Sequence, residues 1–218
     1  MYFLNNSDHF PSPENCPPDE PIALGVGLTP EKVVNAYRQG IFPWEARNEW
    51  VFWWSPDPRM VLDVNDFKIS RSLSKTLKHK VFEVRRDTAF EQVIRACATA
   101  LRKNQPRPRD TWITKPFIET YSELYRRGIA HSVESWQDEQ LVGGLYGLYL
   151  DNMFFGESMF ALKPDASKVA LAHLVAWMRD EGVRYIDCQQ ETPHLASLGA
   201  NPVSRAQFLK WLRNSQQT

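Results

Sequence analysis

The sequence predicts an α+β fold, and three observations carry that prediction. Apolar residues recur at helical spacing in several segments that open on a capping hydroxyl or close on glycine. Between residues 131 and 160 the pattern switches to strands separated by short polar turns. A long amphipathic helix and one further strand then follow, so helices lie on an antiparallel sheet before helix and strand recur.

Residues 1–28 are rich in Pro, Asn and acids and read as an extended, irregular lead. Thr29-Pro30-Glu31 starts a helix with a capping hydroxyl, a first-turn proline and an acid near the positive dipole end. Gly40 ends it. The prolines in Gly40-Ile41-Phe42-Pro43-Trp44 and in Trp50 to Arg59 exclude a long helix. They predict strands and tight turns that present aromatic rings, with a boundary near Leu62. This divides the chain into an N-terminal domain, 1–62, with aromatic and Pro-rich strands and loops, and a second domain, 63–218.

Ser70 to His79 reads as a short helix with Arg71, Lys75 and Lys78 on one face. Thr88-Ala89-Phe90-Glu91 matches a capping box and opens a helix with Phe90, Val93, Ile94, Cys97 and Leu101 on its apolar stripe. Arg102 to Asp110 is a polar, Pro-containing loop. A helix from about Lys115 to Arg127 stops at Gly128. Strands are predicted at 131–136, 141–150 and 153–160, a helix over 165–181, a strand over 183–189 and a final helix capped by Ser204.

The chain has 218 residues, 43% hydrophobic and 24% charged, as in ordinary soluble domains. No apolar run approaches the roughly 20 residues of a membrane span, and Met1 to Phe10 lacks signal-peptide character. Cys16, Cys97 and Cys188 are too scattered for a disulfide framework or a zinc site. These features predict a cytoplasmic protein with no membrane contact. Formal net charge is zero, yet Lys68 to Arg109 holds twelve basic and three acidic residues, a local +9. That imbalance fits either a polyanionic partner or a solvated helical face.

Alternation along Ile186-Asp187-Cys188-Gln189-Gln190 puts Asp187 and Gln189 on one face. A carboxylate and an amide there can bind or activate an amine, or can simply mark a strand leaving into a polar loop. Glu157 is a lone acid in an apolar run. It should face a cavity, or be buried in an ion pair with Arg184 or Lys168. The glycines of Gly143-Gly144-Leu145-Tyr146-Gly147 imply close approach to the backbone or a bulge. A Walker loop, zinc-protease spacing and a Gly-x-Ser-x-Gly elbow are missing, so a group donor would have to arrive already activated.

Taken in order, these segments resemble the leucyl/phenylalanyl-tRNA–protein transferase family. The landmarks include Trp53-Trp54-Ser55-Pro56-Asp57-Pro58-Arg59, Thr111-Trp112-Ile113, Ala130-His131-Ser132-Val133-Glu134, Gly156-Glu157-Ser158-Met159-Phe160 and Ile186-Asp187-Cys188-Gln189, within about residues 22–210. The resemblance implies a small N-terminal domain joined to a GNAT-like N-acyltransferase domain. It implies transfer of Leu or Phe, and Met less well, from aminoacyl-tRNA to proteins with N-terminal Arg or Lys. Such tagging marks the acceptor for N-end rule degradation, with no cofactor or metal. The family's catalytic pair falls on Asp187 and Gln189, and its acceptor-binding acid on Glu157. The aminoacyl pocket falls on Leu145, Leu171, Leu174, Met178 and Ile186. The aminoacyl-adenosine contacts fall on Trp44 and Trp112, and the tRNA-binding bases on Arg71, Lys75 and Lys78. A monomer is expected.

The donor is an ester and the product an amide, so no further activation is needed. An α-amine of pKa about 7.7–8.0 is roughly a tenth to a sixth neutral at pH 7. Deprotonating it in the ground state therefore gains less than about tenfold, whereas positioning can gain more. Asp187 is accordingly expected to orient Gln189 and hold the amine, and Glu157 to select the cationic side chain of the acceptor. The alternatives are an acyl-CoA-dependent N-acetyltransferase, whose pyrophosphate-cradling motif is missing, and an RNA-binding module, which would not explain the acid-bearing strands.

Overall fold

The structure, a computed structural model, describes residues 1–4, 9–47, 49–100 and 111–217. The predicted loop from Arg102 to Asp110, and Leu101 before it, lie outside these residues.

The chain builds two sheets, and the α+β expectation is met. In the smaller sheet, β1 (Tyr2–Phe3) runs parallel to β2 (Ala23–Val26). The strand β4 (Trp50–Trp54) then lies antiparallel between β2 and β3 (Phe42–Arg47). The lead is therefore not wholly irregular. Residues 23–26 pair with a strand some thirty positions later, a partner that local composition does not reveal.

The larger sheet contains β5 (Arg59–Asp63), β6 (Glu83–Arg86), β7 (Ala130–Gln137), β8 (Gln140–Leu150), β9 (Met153–Ala161), β10 (Tyr185–Gln189) and β11 (Asn201–Val203). Their order is β11-β5-β10-β9-β8-β7-β6. Only β9 and β10 pair in parallel; the other neighbours are antiparallel. The predicted meander is β7-β8-β9. Asp138 and Glu139 have φ of 51° and 57°, and Asp151 and Asn152 have 50° and 57°, the left-handed pairs that match a two-residue hairpin to strand twist.

The predicted helices are present. Thr29 Oγ1 accepts the Lys32 amide at 3.2 Å and caps α1 (Pro30–Arg38). Ser70 Oγ does the same for Leu73 at 3.2 Å in α2 (Arg71–Lys78). The capping box at Thr88 does not form on α3 (Phe90–Thr99). The Glu134 carboxylate on β7 takes its place. It accepts the Thr88 and Ala89 amides, each at 3.3 Å, and the Thr88 hydroxyl at 2.8 Å. A fully ionisable acceptor reaching across from the sheet satisfies more of the orphan amides than a threonine hydroxyl can. The chain continues with α4 (Lys115–Arg126), α5 (Ala166–Asp180), the short α6 (Pro193–Ser197) and α7 (Arg205–Ser215), which Ser204 caps.

Strand alternation divides the large sheet between two cores. Leu145, Phe154 and Ile186 pack with Leu171, Leu174 and Met178 of α5. Tyr146, Phe155 and Phe160 face the other side, with α1, α3, α4, α7 and the small sheet. The predicted boundary at residue 62 falls inside β5, a strand of the larger sheet.

Candidate active site

The β8–β9 pairing carries a bulge that sets the site. Tyr146 opposes Ser158 and Gly147 opposes Gly156, so Glu157 is the extra residue on β9. A bulge re-aims side chains and resets alternation. Met153 and Phe155 face one core, and beyond the bulge Phe160 faces that core again. Gly147 is required here: a Cβ on it would lie 2.2 Å from the Phe155 carbonyl oxygen. At Gly143 the close approach is that of α5, since a Cβ would meet Ala166 Cβ at 2.5 Å. Both readings of the glycine-rich run thus hold, at different glycines.

Neither base considered for an ion pair reaches Glu157. Arg184 pairs with Asp63 and Lys168 with Asp165, each at 2.8 Å. Instead the Tyr37 hydroxyl donates to Glu157 Oε1, and Gln189 Nε2 donates to the same oxygen at 3.0 Å. Tyr37 and Tyr121 hydroxyls lie 3.2 Å apart, and Gln189 Nε2 is 3.3 Å from Tyr37 Oη. Glu157 is 9% exposed, and its Oε2 is buried with no hydrogen-bond partner among the described residues. Burial raises its pKa from the ordinary 4.5 to about 7; the Asp187 charge adds to the rise, and the tyrosines and Gln189 oppose it. Burial, and then the Glu157 charge, holds both tyrosines well above 10, so they remain donors.

Asp187 is enclosed. Arg59 Nε donates to its Oδ1 at 2.8 Å and Nη2 to its Oδ2 at 2.6 Å, and both side chains are 0% exposed. The Arg59 guanidinium lies between the Phe42 and Phe208 rings, 4.6 and 4.5 Å from their centroids. Asp187 Oδ1 also accepts the Gln189 amide at 2.8 Å. Gln189 has φ of 63°, and the β10–β5 register slips between Asp187 and Gln189. The carboxylate therefore fixes a left-handed turn that points the Gln189 amide at Glu157.

A cavity of about 110 Å³ opens against this cluster. Leu145, Leu171, Leu174 and Ile186 line it, as four of the five proposed pocket residues, together with Glu157, Met159 and Cys188. Its size is of the order of the roughly 150 Å³ apolar cavity that accepts benzene. Met178 does not line it, being fully buried in the core among the α5 side chains. Trp44 and Trp112 also lie away from its lining, half-buried against Trp54 and Phe117 at ring distances of 5.0 and 5.4 Å. Arg71, Lys75 and Lys78 are exposed along α2, and none forms an ion pair among the described residues. Arg85, by contrast, is held by Glu83 and Glu139 at 2.7 and 2.9 Å. The sequence reading missed Arg59, Tyr37 and Tyr121. Arg59 closes a quoted motif, but the tyrosines sit at helix positions that read only as apolar.

Residues 61–213 match the model of the leucyl/phenylalanyl-tRNA protein transferase, and residues 27–57 match that family's N-terminal domain. The chain belongs to the leucyl/phenylalanyl-tRNA–protein transferase family. Like the family's members, it is an enzyme, an aminoacyltransferase. The relative from Ralstonia pickettii is 52% identical over 198 residues, 89% of this chain and 79% of the relative. One from Anaeromyxobacter is 48% identical over 209 residues, 96% of this chain and 88% of the relative. Solved structures are more distant. L-PGS from Bacillus licheniformis is 11% identical with a TM-score of 0.41, over 81% of this chain and 57% of that one. A GCN5-related N-acetyltransferase from Kribbella flavida is 12% identical with a TM-score of 0.38, over 84% and 64%.

Proposed function

We propose that this enzyme moves Leu or Phe, and Met less well, from aminoacyl-tRNA to the α-amine of proteins beginning with Arg or Lys. Acceptors so tagged enter N-end rule degradation, and the enzyme works as a cytoplasmic monomer. One observation carries this reading: an apolar cavity sized for one hydrocarbon side chain ends against a polar wall of Glu157, Gln189 and Tyr37. An aminoacyl side chain anchors among Leu145, Leu171, Leu174 and Ile186. Its ester then lies beside groups suited to an attacking amine. Gln189 holds the amine, Asp187 fixes Gln189, and Glu157 receives the acceptor's N-terminus. Met178 backs the pocket wall. Trp44 and Trp112 offer aromatic faces for the terminal adenosine, which bind bases with little sequence preference. Arg71, Lys75 and Lys78 meet acceptor-stem phosphates.

The decisive test follows labelled Leu from Leu-tRNA to an Arg-initiated peptide, with RNase-treated and acetyl-CoA controls. Transfer that needs intact Leu-tRNA is expected. Labelling of the peptide from acetyl-CoA instead would replace this reading with acetyl transfer. Glu157→Gln is expected to relax the choice of acceptor; a variant that still rejects neutral N-termini would remove that selective role.

A further inference from the structure

The wall of the cavity is not uniform. Leu145, Leu171, Leu174 and Ile186, from the large sheet and α5, are at most 4% exposed and form its buried floor. Among the described residues, Leu195 of α6 is the one lining side chain that comes from neither the sheet nor α5. It is half-buried and packs against the same core as the floor.

Although α6 has only five residues, it is held at both ends. Thr192 Oγ1 accepts the Leu195 amide at 3.2 Å and fixes the first turn. Beyond the helix, the Leu198 carbonyl accepts the Lys68 amide at 2.9 Å, and Leu198 and Ala200 are buried. Gly199, at φ of 104°, passes so close to Asp66 that a Cβ would lie 2.1 Å from the Asp66 carbonyl oxygen. These contacts make Leu195 a fixed wall.

The space left behind that wall favours one donor. The cavity's 110 Å³ falls short of the roughly 150 Å³ that accepts a benzene ring. The Phe side chain is such a ring plus a methylene, and the Leu side chain has three carbons fewer. Cutting Leu195 back to its Cβ takes three carbons from the wall. Met159, also half-buried on the lining, is unbranched and can yield to a larger guest, so Phe is admitted but disfavoured. We infer that Leu195 is a specificity-determining residue, which sets the order Leu before Phe among the transferred amino acids. This rests on the reading of the cavity as the aminoacyl pocket.

The test measures kcat/KM for Leu-tRNA and for Phe-tRNA separately, with one Arg-initiated peptide at saturation. Wild type should favour Leu-tRNA by about tenfold or more, the scale of a methylene's misfit in an apolar pocket. Leu195→Ala should move the ratio toward Phe by about tenfold or more, raising the Phe value while the Leu value falls. Leu195→Val, a smaller cut, should move it the same way by less. Leu195→Met, of similar volume, should keep the wild-type order. An equal loss with both donors in the Ala and Val variants would make Leu195 a contact to the shared adenosine or a prop for the fold. A raised KM for the peptide with an unchanged donor ratio would assign it to the acceptor. Either result, or a wild type with no preference for Leu, would overturn the inference and leave the transferase reading intact. A wild type that transfers from neither tRNA would sink the transferase reading itself.

Discussion

Two buried carboxylates on adjacent strands have different neighbours. Asp187 has a guanidinium and an amide, and among the described residues the donors to Glu157 are neutral. The difference has a stability signature. Glu157 holds its proton to about 7 when folded, against the ordinary 4.5 expected of the unfolded chain. The native state therefore binds more protons between those values, and stability falls as pH rises through that window, then levels off. Glu157→Gln should match wild type at pH 4 and exceed it by roughly 3 kcal/mol at pH 8. Urea unfolding at a series of pH values reads this directly; a pH-independent difference would contradict it. Asp187→Asn has the opposite effect, because it leaves Arg59 buried without its counter-charge. A loss of about 3 kcal/mol or more is expected, along with a large fall in turnover. Aminoacyl-tRNA binding by the folded variant should persist, and near-wild-type turnover would remove Asp187 from the mechanism.

At the scale of elements, local sequence set most of the pattern and distant partners corrected it. Thr29, Ser70 and Ser204 cap their helices because the amides they satisfy lie three residues away. Thr88 fails for want of no local signal; its partner is an acid 46 positions on. The bulge at Glu157 was legible only as a misplaced acid and nearby glycines, since register depends on the partner strand. The family resemblance, not the helix pattern, pointed to Leu171, Leu174 and Met178 of α5; the first two line the cavity, whereas Met178 continues the stripe one turn beyond it. Glu134→Ala tests the cross-sheet cap: it strips acceptors from buried donors, and equilibrium unfolding should show a loss of about 3 kcal/mol. A loss under about 0.5 kcal/mol would assign the cap elsewhere. On α2, replacing Arg71, Lys75 and Lys78 by Ala should weaken aminoacyl-tRNA binding. It should also flatten the slope of log K against log salt by about 2 to 3, for three lost phosphate contacts. An unchanged slope would place the phosphates elsewhere.

At the scale of the whole molecule, residues far apart in sequence close the structure around β5 and β10. From α7, Phe208 and Leu209 pack against Gly40, where an added Cβ would lie 2.5 Å from Leu209 Cδ2. Arg205 donates to the Ser55 carbonyl at 2.6 Å and to the carbonyls of Cys16 and Pro17. Arg205→Ala should destabilise the protein by about 2 kcal/mol, because it orphans the buried Ser55 carbonyl and removes the bonds to Cys16 and Pro17. Loss of transfer activity should track unfolding in a denaturant series rather than precede it. The Phe208 ring that belongs to this clasp is also one wall of the Arg59 sandwich. The turn that aims Gln189 is thus finished by a helix made after every residue of β10. A nascent chain that has emerged only through β10 carries Glu157, Asp187 and Gln189 yet lacks the ring that seats the arginine behind them. On the proposed reading, the site is complete only once Phe208, in the first turn of α7, has folded against Arg59.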